Sequence, residues 1–219
     1  MKRSPRNRST ASLSVSTFRQ LNSYALAASA AGVGVLALAP VAEGKVIYTP
    51  ANKTVRLNHA VPIDLNHDGI DDFDVFNLTH NSTTPFGDYV GGEPVRSGNQ
   101  IIVLKTNRGF DYDAVALAAG VRVGPGKQFR AGRDMMAYRS SGDGTVSGGP
   151  WKNVKNRYLG LKFLIKGKTH YGWARLNVAI ADQNVNATIT GYAYETVPDQ
   201  AIVTGKTDGA SLGRLAQGR

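Results

Sequence analysis

The chain has 219 residues, 26 Lys and Arg against 16 Asp and Glu, a formal net charge of +10 and no cysteine. The missing thiol excludes disulfides, thiolate nucleophiles, cysteine metal sites and acylation at cysteine. This length holds one domain, or two small ones, once any targeting segment is set aside.

The first 44 residues have the pattern of an export signal. Lys2, Arg3, Arg6, Arg8 and Arg19 form a basic start without acids, and the uncharged run from Tyr24 to Ala42 is mainly Ala, Val, Leu and Gly. Ala42 and Gly44 supply the small residues that a cleavage before Lys45 needs. The alternative is an uncleaved anchor, because roughly 20 apolar residues can span a bilayer. The abundance of Ala and Gly, followed by a small-residue site, favours cleavage. The expected division is a signal peptide over 1–44, a domain over 45–205 and a tail over 206–219, in a protein that is secreted, periplasmic or at the cell surface. Removing the five cations and Glu43 leaves 21 Lys and Arg against 15 Asp and Glu, a net charge of +6. That balance favours weak attraction to an anionic polysaccharide or another cell-surface component. No basic cluster interleaved with aromatics speaks for nucleic acid, and membrane contact is expected only through the signal segment before cleavage.

Past Lys45, glycines punctuate short alternating apolar runs, which is the signature of an all-β chain. In order the runs are KVIYT, TVRL, FDVFNL, QIIVLKT, MMAYRS, YLGLKFLI, THYGWARLNVAI, ATITGYAYE and AIVTG. Only DAVALAAG, from Asp113 to Gly120, admits a short helix. His80 to Asn99 and Ser140 to Pro150 read as loose segments. These elements predict an antiparallel β-sandwich, jelly-roll-like, with long surface loops.

Between the second and third runs lies DLNHDGIDDFDV. Asp64, Asn66 and Asp68 alternate, Gly69 permits a tight turn, and Asp72 follows three residues later. A hard cation such as Ca²⁺ takes six to eight oxygens at about 2.3–2.6 Å, and alternating side chains on a tight turn converge on one point. The spacing assigns Asp64, Asn66 and Asp68 as side-chain ligands, Ile70 as a carbonyl ligand, and Asp72 as a direct or water-mediated one. It is an incomplete EF-hand: Val75 stands where the bidentate Glu belongs, and the flanks read as strands. The alternative is an Asp-Gly hairpin turn with a solvated acidic rim, in which Asp64, Asp68, Asp71, Asp72 and Asp74 repel one another; a cation removes that cost. The expected role of calcium is structural.

The region from Tyr158 to Glu195 is the most legible. Leu159, Leu161, Phe163 and Ile165 share one parity, as do Ala174, Leu176, Val178 and Ile180. A two-residue turn at Gly167-Lys168 pairs Phe163 with Gly172 and Leu161 with Ala174. The returning strand then sets Trp173 opposite Tyr194 and Arg175 opposite Tyr192. On that register Tyr171, Trp173, Arg175, Tyr192 and Tyr194 share one face, with Lys162 across from Trp173. Such a strip is a platform for stacking sugar rings if it is open, and ordinary packing if a loop such as the one after Leu78 covers it.

The short form D-x-N-x-D-G-x-x-D before an apolar strand resembles the calcium loops of FG-GAP and thrombospondin-type repeats; one copy does not make a repeat architecture. The segments GKVIYTP, PIDLNHDGIDDF, RYLGLKF with HYGWARLNV, and GYAYETVPDQAIVTGK together resemble an uncharacterised family of exported, acidobacterial-type proteins. They are also similar to the C-terminal block of many exported proteins that carry a PEP-CTERM sorting tail, although this chain lacks the tail itself. The resemblance implies export and brings no assigned activity.

His59, His67, His80 and His170 show no ligand-gathering spacing, and no G-x-S-x-G elbow is present. Glu195 is the one acid beside the aromatic strip, whereas a glycosidase needs a carboxylate pair, which only a partner such as Asp111 or Asp113 could complete. Three functions follow in decreasing order: a calcium-binding surface module for polysaccharide, a structural envelope or matrix protein without a small ligand, and a glycan hydrolase.

Overall fold

The structure, a computed structural model, describes residues 44–79, 87–106, 112–141, 145–181 and 184–207. The expected signal segment except Gly44, the segment from His80 to Phe86, Asp111 and all but the first two residues of the expected tail lie outside them. The strands are β1 (Val46–Val55), β2 (His59–Ile63), β3 (Phe73–Thr79), β4 (Asp88–Pro94), β5 (Gln100–Lys105), β6 (Tyr112–Ala114), β7 (Arg122–Val123), β8 (Phe129–Arg130), β9 (Asp134–Ser141), β10 (Thr145–Gly148), β11 (Val154–Ile165), β12 (Lys168–Ile180), β13 (Val185–Glu195) and β14 (Ile202–Val203).

The chain is all-β. Twelve strands form one hydrogen-bonded sheet ordered β1-β13-β12-β11-β5-β6-β9-β4-β3-β2, with β8 and β10 on side branches, and β14 pairs with β7 in a separate ribbon. The expected two-sheet sandwich is thus a single sheet turned over on itself. Strand β5 makes the corner: Ile101 pairs with Leu161 of β11, and beyond it Val103 and Leu104 pair with Ala114 and Asp113 of β6. One pairing departs from the antiparallel rule, between Asp113 of β6 and Met135 of β9. No helix forms over Asp113 to Gly120; β6 is followed by a bridge from Leu117 to Tyr158.

The main apolar cluster fills the space between the two halves, with Ile63, Phe73, Val75, Val90 and Met136 facing Leu159, Leu161, Phe163, Leu176 and Ile189. Burial of such side chains stabilises by roughly 1.5–3 kcal/mol each. Trp151 closes one end; it is fully buried and donates its Nε1–H to the Ala114 carbonyl at 2.9 Å. A second cluster lies on the opposite face of β11–β13, where Leu117, Val121, Val123, Phe129 and Ile202 pack over Tyr158, Tyr171 and Trp173. All the described strands and both clusters fall within one compact unit, Glu43–Arg219, which therefore carries its own core.

The β11–β12 hairpin turns at Lys166-Gly167, with φ of 51° and 77°, and pairs Ile165 with Lys168. Two successive residues with positive φ suit a two-residue hairpin, whose twist matches that of the strands, and Gly supplies the second at no steric cost. The register differs by two residues from the expected Gly167-Lys168 turn, so every side chain stays on its expected face.

Strands β4 and β10 form in segments that read as loose, and β2, β6, β7 and β8 in stretches without a legible alternating run. In β4, Gly91 leaves room for the Phe76 ring, which a Cβ would strike. In β2, His59, Ala60 and Pro62 are exposed, so little alternation is left to see.

Replacing Trp151 by Ala is expected to lower stability by about 3–5 kcal/mol in urea unfolding. Trp151→Phe, which keeps a ring but leaves the Ala114 carbonyl without its donor, is expected to cost about 1–3 kcal/mol. Losses below 1 kcal/mol for both would contradict the packing described.

Candidate functional site

The acidic loop joins β2 to β3. Its backbone turns through His67 and Gly69, at φ of 60° and 82°, and the side chains that line the turn hold its N–H groups. Asp64 accepts from the Gly69 N–H at 2.8 Å and from the Asp68 N–H at 3.3 Å. Asp68 Oδ1 accepts from the Ile70 N–H at 3.0 Å, and Asp68 Oδ2 from the Asn66 amide at 3.1 Å. The structure therefore brings Asp64, Asn66 and Asp68 together around one turn, as their spacing predicts. Arg96 reaches Asp68 at 3.4 Å, with both side chains well exposed. The hydrogen bond from Asn66, with those from Ile70 and Arg96, holds the Asp68 carboxyl below the usual carboxylate range. The Ile70 side chain is exposed.

Asp72 has turned the other way. It is fully buried; Oδ2 accepts from the Leu65 N–H at 3.0 Å and Oδ1 from the Asn99 amide at 3.2 Å. Its own carbonyl accepts from Asn99 and from the Val95 N–H, and its N–H bonds to Ile63. Burial pushes this carboxyl above its ordinary range, and the charges of Asp68 and Asp64 push in the same direction. Of the five expected ligands, Asp72 is the one whose oxygens the protein already uses to brace the loop.

Among the described residues no group of three or more His, Cys, Asp and Glu side chains has the arrangement of a metal site. With Asp72 turned inward, the set that remains is two carboxylates, one amide and a backbone carbonyl. These are all oxygen donors of the kind a hard cation takes. His67 is occupied elsewhere: it shares a 2.7 Å hydrogen bond with Thr49 of β1 and its ring lies 6.1 Å from that of Tyr192.

The aromatic strip does not assemble as expected. Strand β12 pairs with β13 as Gly172 with Tyr194, Trp173 with Ala193 and Ala174 with Tyr192, and the register shifts by one between Arg175 and Leu176. The shift is a β-bulge at Thr190, followed by Gly191 at φ 154°. One extra residue reverses the parity of everything beyond it. Tyr192 and Tyr194 consequently face the main core, while Tyr171, Trp173, Arg175 and Lys162 lie on the opposite face.

Neither group is open. Trp173 is 0% exposed and Tyr171, Tyr192 and Tyr194 only 6%, 6% and 7%. Trp173 sits between Tyr158 and Tyr48, at ring separations of 5.1 and 5.9 Å. Over Tyr171 and Trp173 the cover is the segment from Val115 to Phe129 together with β14; the first part of the loop after Leu78, from His80 to Phe86, lies outside the described residues. Lys162 lies over the Phe129 ring at 5.4 Å. Arg175 serves the bulge: Nε donates to Thr190 Oγ1 at 2.8 Å, and a terminal nitrogen donates to the Thr190 carbonyl at 3.0 Å and to Tyr48 Oη at 3.2 Å.

Burial raises the hydroxyls of Tyr192 and Tyr194, and the Asp64 charge adds to the effect on both. The acidic loop thus lies against the inner face of β13, a contact that no local signal in the sequence announces.

Arg175→Ala is expected to destabilise by about 1–3 kcal/mol, because the bulged carbonyl of Thr190 loses its donor. Arg175→Lys recovers only part of this, since a single ammonium cannot reproduce the fork. Chemical denaturation measures both; equal stability of Arg175→Ala and wild type would remove the clamp.

A second expectation concerns pH. In the metal-free protein Asp72, Asp74, Asp134 and Glu195 are all raised chiefly by burial. A raised folded-state value gives stability that is fully present below the unfolded-state value, about 3.9 for Asp and 4.3 for Glu, and is lost as pH rises through the folded value. The melting temperature in EDTA should therefore rise as pH falls from neutral towards the unfolded-state values. Asp72→Asn should make that rise shallower. A profile flat or falling over this range would contradict the charge burial.

No protein-family model, curated protein or solved structure matches this chain.

Proposed function

We propose that the chain is an exported, calcium-stabilised β-protein with a structural role at the cell surface or in an extracellular matrix. The observation that carries the structural role is the burial of the aromatic strip. A surface that stacks sugar rings needs aromatic faces that solvent reaches, and Trp173 is fully covered. The alternative of a polysaccharide platform on Tyr171, Trp173, Tyr192 and Tyr194 loses its main support, because these residues stand on two faces of the sheet.

Calcium enters as a stabiliser. Asp64, Asn66, Asp68 and the Ile70 carbonyl would hold the ion, and Asp72 would fix the loop that presents them. The bound ion supplies positive charge among Asp64, Asp68, Asp71 and Asp72, whose mutual repulsion otherwise opposes folding. Because the loop lies against Tyr192 and Thr49 and is braced from Asn99, the effect is felt by both halves of the sheet. The ion has no catalytic part here.

Calcium at a hundred times its Kd should add about 2.7 kcal/mol, a rise in melting temperature of about 5 °C or more relative to EDTA. Asp68→Ala should abolish the difference. Equal melting temperatures in Ca²⁺ and EDTA would end the calcium assignment. A glycan array on which wild type binds and Trp173→Phe does not would end the structural assignment in favour of a sugar platform.

A further inference from the structure

The strongest unexplained feature lies where β1 begins. Glu195, at the end of β13, is fully buried. One carboxylate oxygen, Oε1, accepts from the Val197 N–H at 3.0 Å, while Oε2 has no hydrogen-bond partner. Val46 is paired with Glu195, so the residue before it, Lys45, lies at the same end. The Lys45 N–H donates to Thr196 Oγ1 at 3.1 Å, and the Thr196 N–H returns to the Lys45 carbonyl at 3.0 Å. A buried carboxylate with one empty oxygen is a cost that the fold carries without an evident return.

We propose that Glu195, Thr196 and Val197 form a receptor for a free α-amino group at Lys45, created when the Gly44–Lys45 peptide bond is hydrolysed. In that step water adds across the amide. Gly44 leaves as a carboxylate, the Lys45 nitrogen becomes an ammonium, and a protease of the signal-peptidase class is the co-reactant.

The donor count explains the pocket. As an amide, the Lys45 nitrogen has one hydrogen, which Thr196 uses. As an ammonium it has three. One stays with Thr196 and the others can serve Glu195 Oε2, turning an unpaired buried charge into an ion pair with charge-assisted hydrogen bonds. Burial pushes the Glu195 carboxyl up; the N–H groups of Val197, Thr196 and Lys45 and the His170 imidazole on β12 act against it. His170 itself donates from Nδ1 to the Glu195 carbonyl at 2.9 Å and lies beside the Phe163 and Tyr194 rings. The pocket rests on the export part of the proposed function and is independent of the calcium part.

The test compares the chain Lys45–Arg219 carrying a free amino terminus with the same chain acetylated at that nitrogen. At pH 7 the free form should melt about 3 °C or more above the acetylated one. Its α-amino pKa, followed by NMR, should lie above the ordinary range of about 7.7–8.0. A raised amine contributes stability that is fully present below the unfolded value and is lost as pH rises through the folded one, so the gap should close in alkali. Glu195→Gln should erase the gap. Export of the full chain from a bacterial host should yield a product whose first residue is Lys45. Equal melting of free and acetylated chains, an α-amino pKa at or below 8, or a product starting elsewhere would each overturn the proposal. A gap that persists in a protein indifferent to EDTA would retire the calcium site and leave this one standing.

Discussion

One buried carboxylate organises the end of the molecule where the two halves of the sheet meet. Asp72 holds the Leu65 N–H from the acidic loop and the Asn99 amide from the approach to β5, while its backbone bonds to Ile63 and Val95. Two stretches of chain, 63–65 and 95–99, are thereby referred to a single residue. That brace, with the hydrogen bond between His67 and Thr49 of β1, sets the turn carrying Asp64, Asn66 and Asp68 against the strands around it. The charge is also the liability: it is buried beside other carboxylates, and both burial and those neighbours work against its ionisation. The hydrogen bonds from Leu65 and Asn99 oppose that cost from inside the loop, and the proposed cation would oppose it from outside.

The bulge at Thr190 is the second constraint, and it decides what the aromatic residues do. Leu176, Val178 and Ile180 pair with Ile189, Ala187 and Val185 below the bulge, and Ala174 and Gly172 pair with Tyr192 and Tyr194 above it. The extra residue keeps both stretches of β13 turned to the core. Without it, Tyr192 and Tyr194 would join Trp173 on the outer face and make the platform that the alternation suggests. Arg175, which looks like a ligand-binding cation in the sequence, holds the bulged carbonyl in place.

These two features mark the boundary of what could be read from the residues alone. The all-β character, the parity of β11 and β12, and the convergence of Asp64, Asn66 and Asp68 depend on neighbours close in sequence, and alternation or spacing reveals them. The inward turn of Asp72 depends on Asn99, 27 residues away. A bulge leaves composition and local alternation unchanged, so one extra residue passes unseen and reverses a face. Strand β4 was hidden because Gly91 is chosen to admit the Phe76 ring, and β2 because an edge strand with Pro62 needs no apolar face. The second apolar cluster was hidden for a similar reason: its cover comes from the segment between β6 and β8, too irregular to show a period.

Two groups near the C-terminal end of β13 are related in the proposed reading, since Glu195 and the loop beside Tyr192 both present buried or crowded negative charge that a cation would satisfy. In one case the proposed cation is an ion from outside, in the other the proposed amino terminus at Lys45. The most direct measurement is a calorimetric titration of the metal-free protein with Ca²⁺. One saturable site per chain, lost in Asp68→Ala while that variant stays folded, is the predicted result; no saturable heat in the wild type would contradict it.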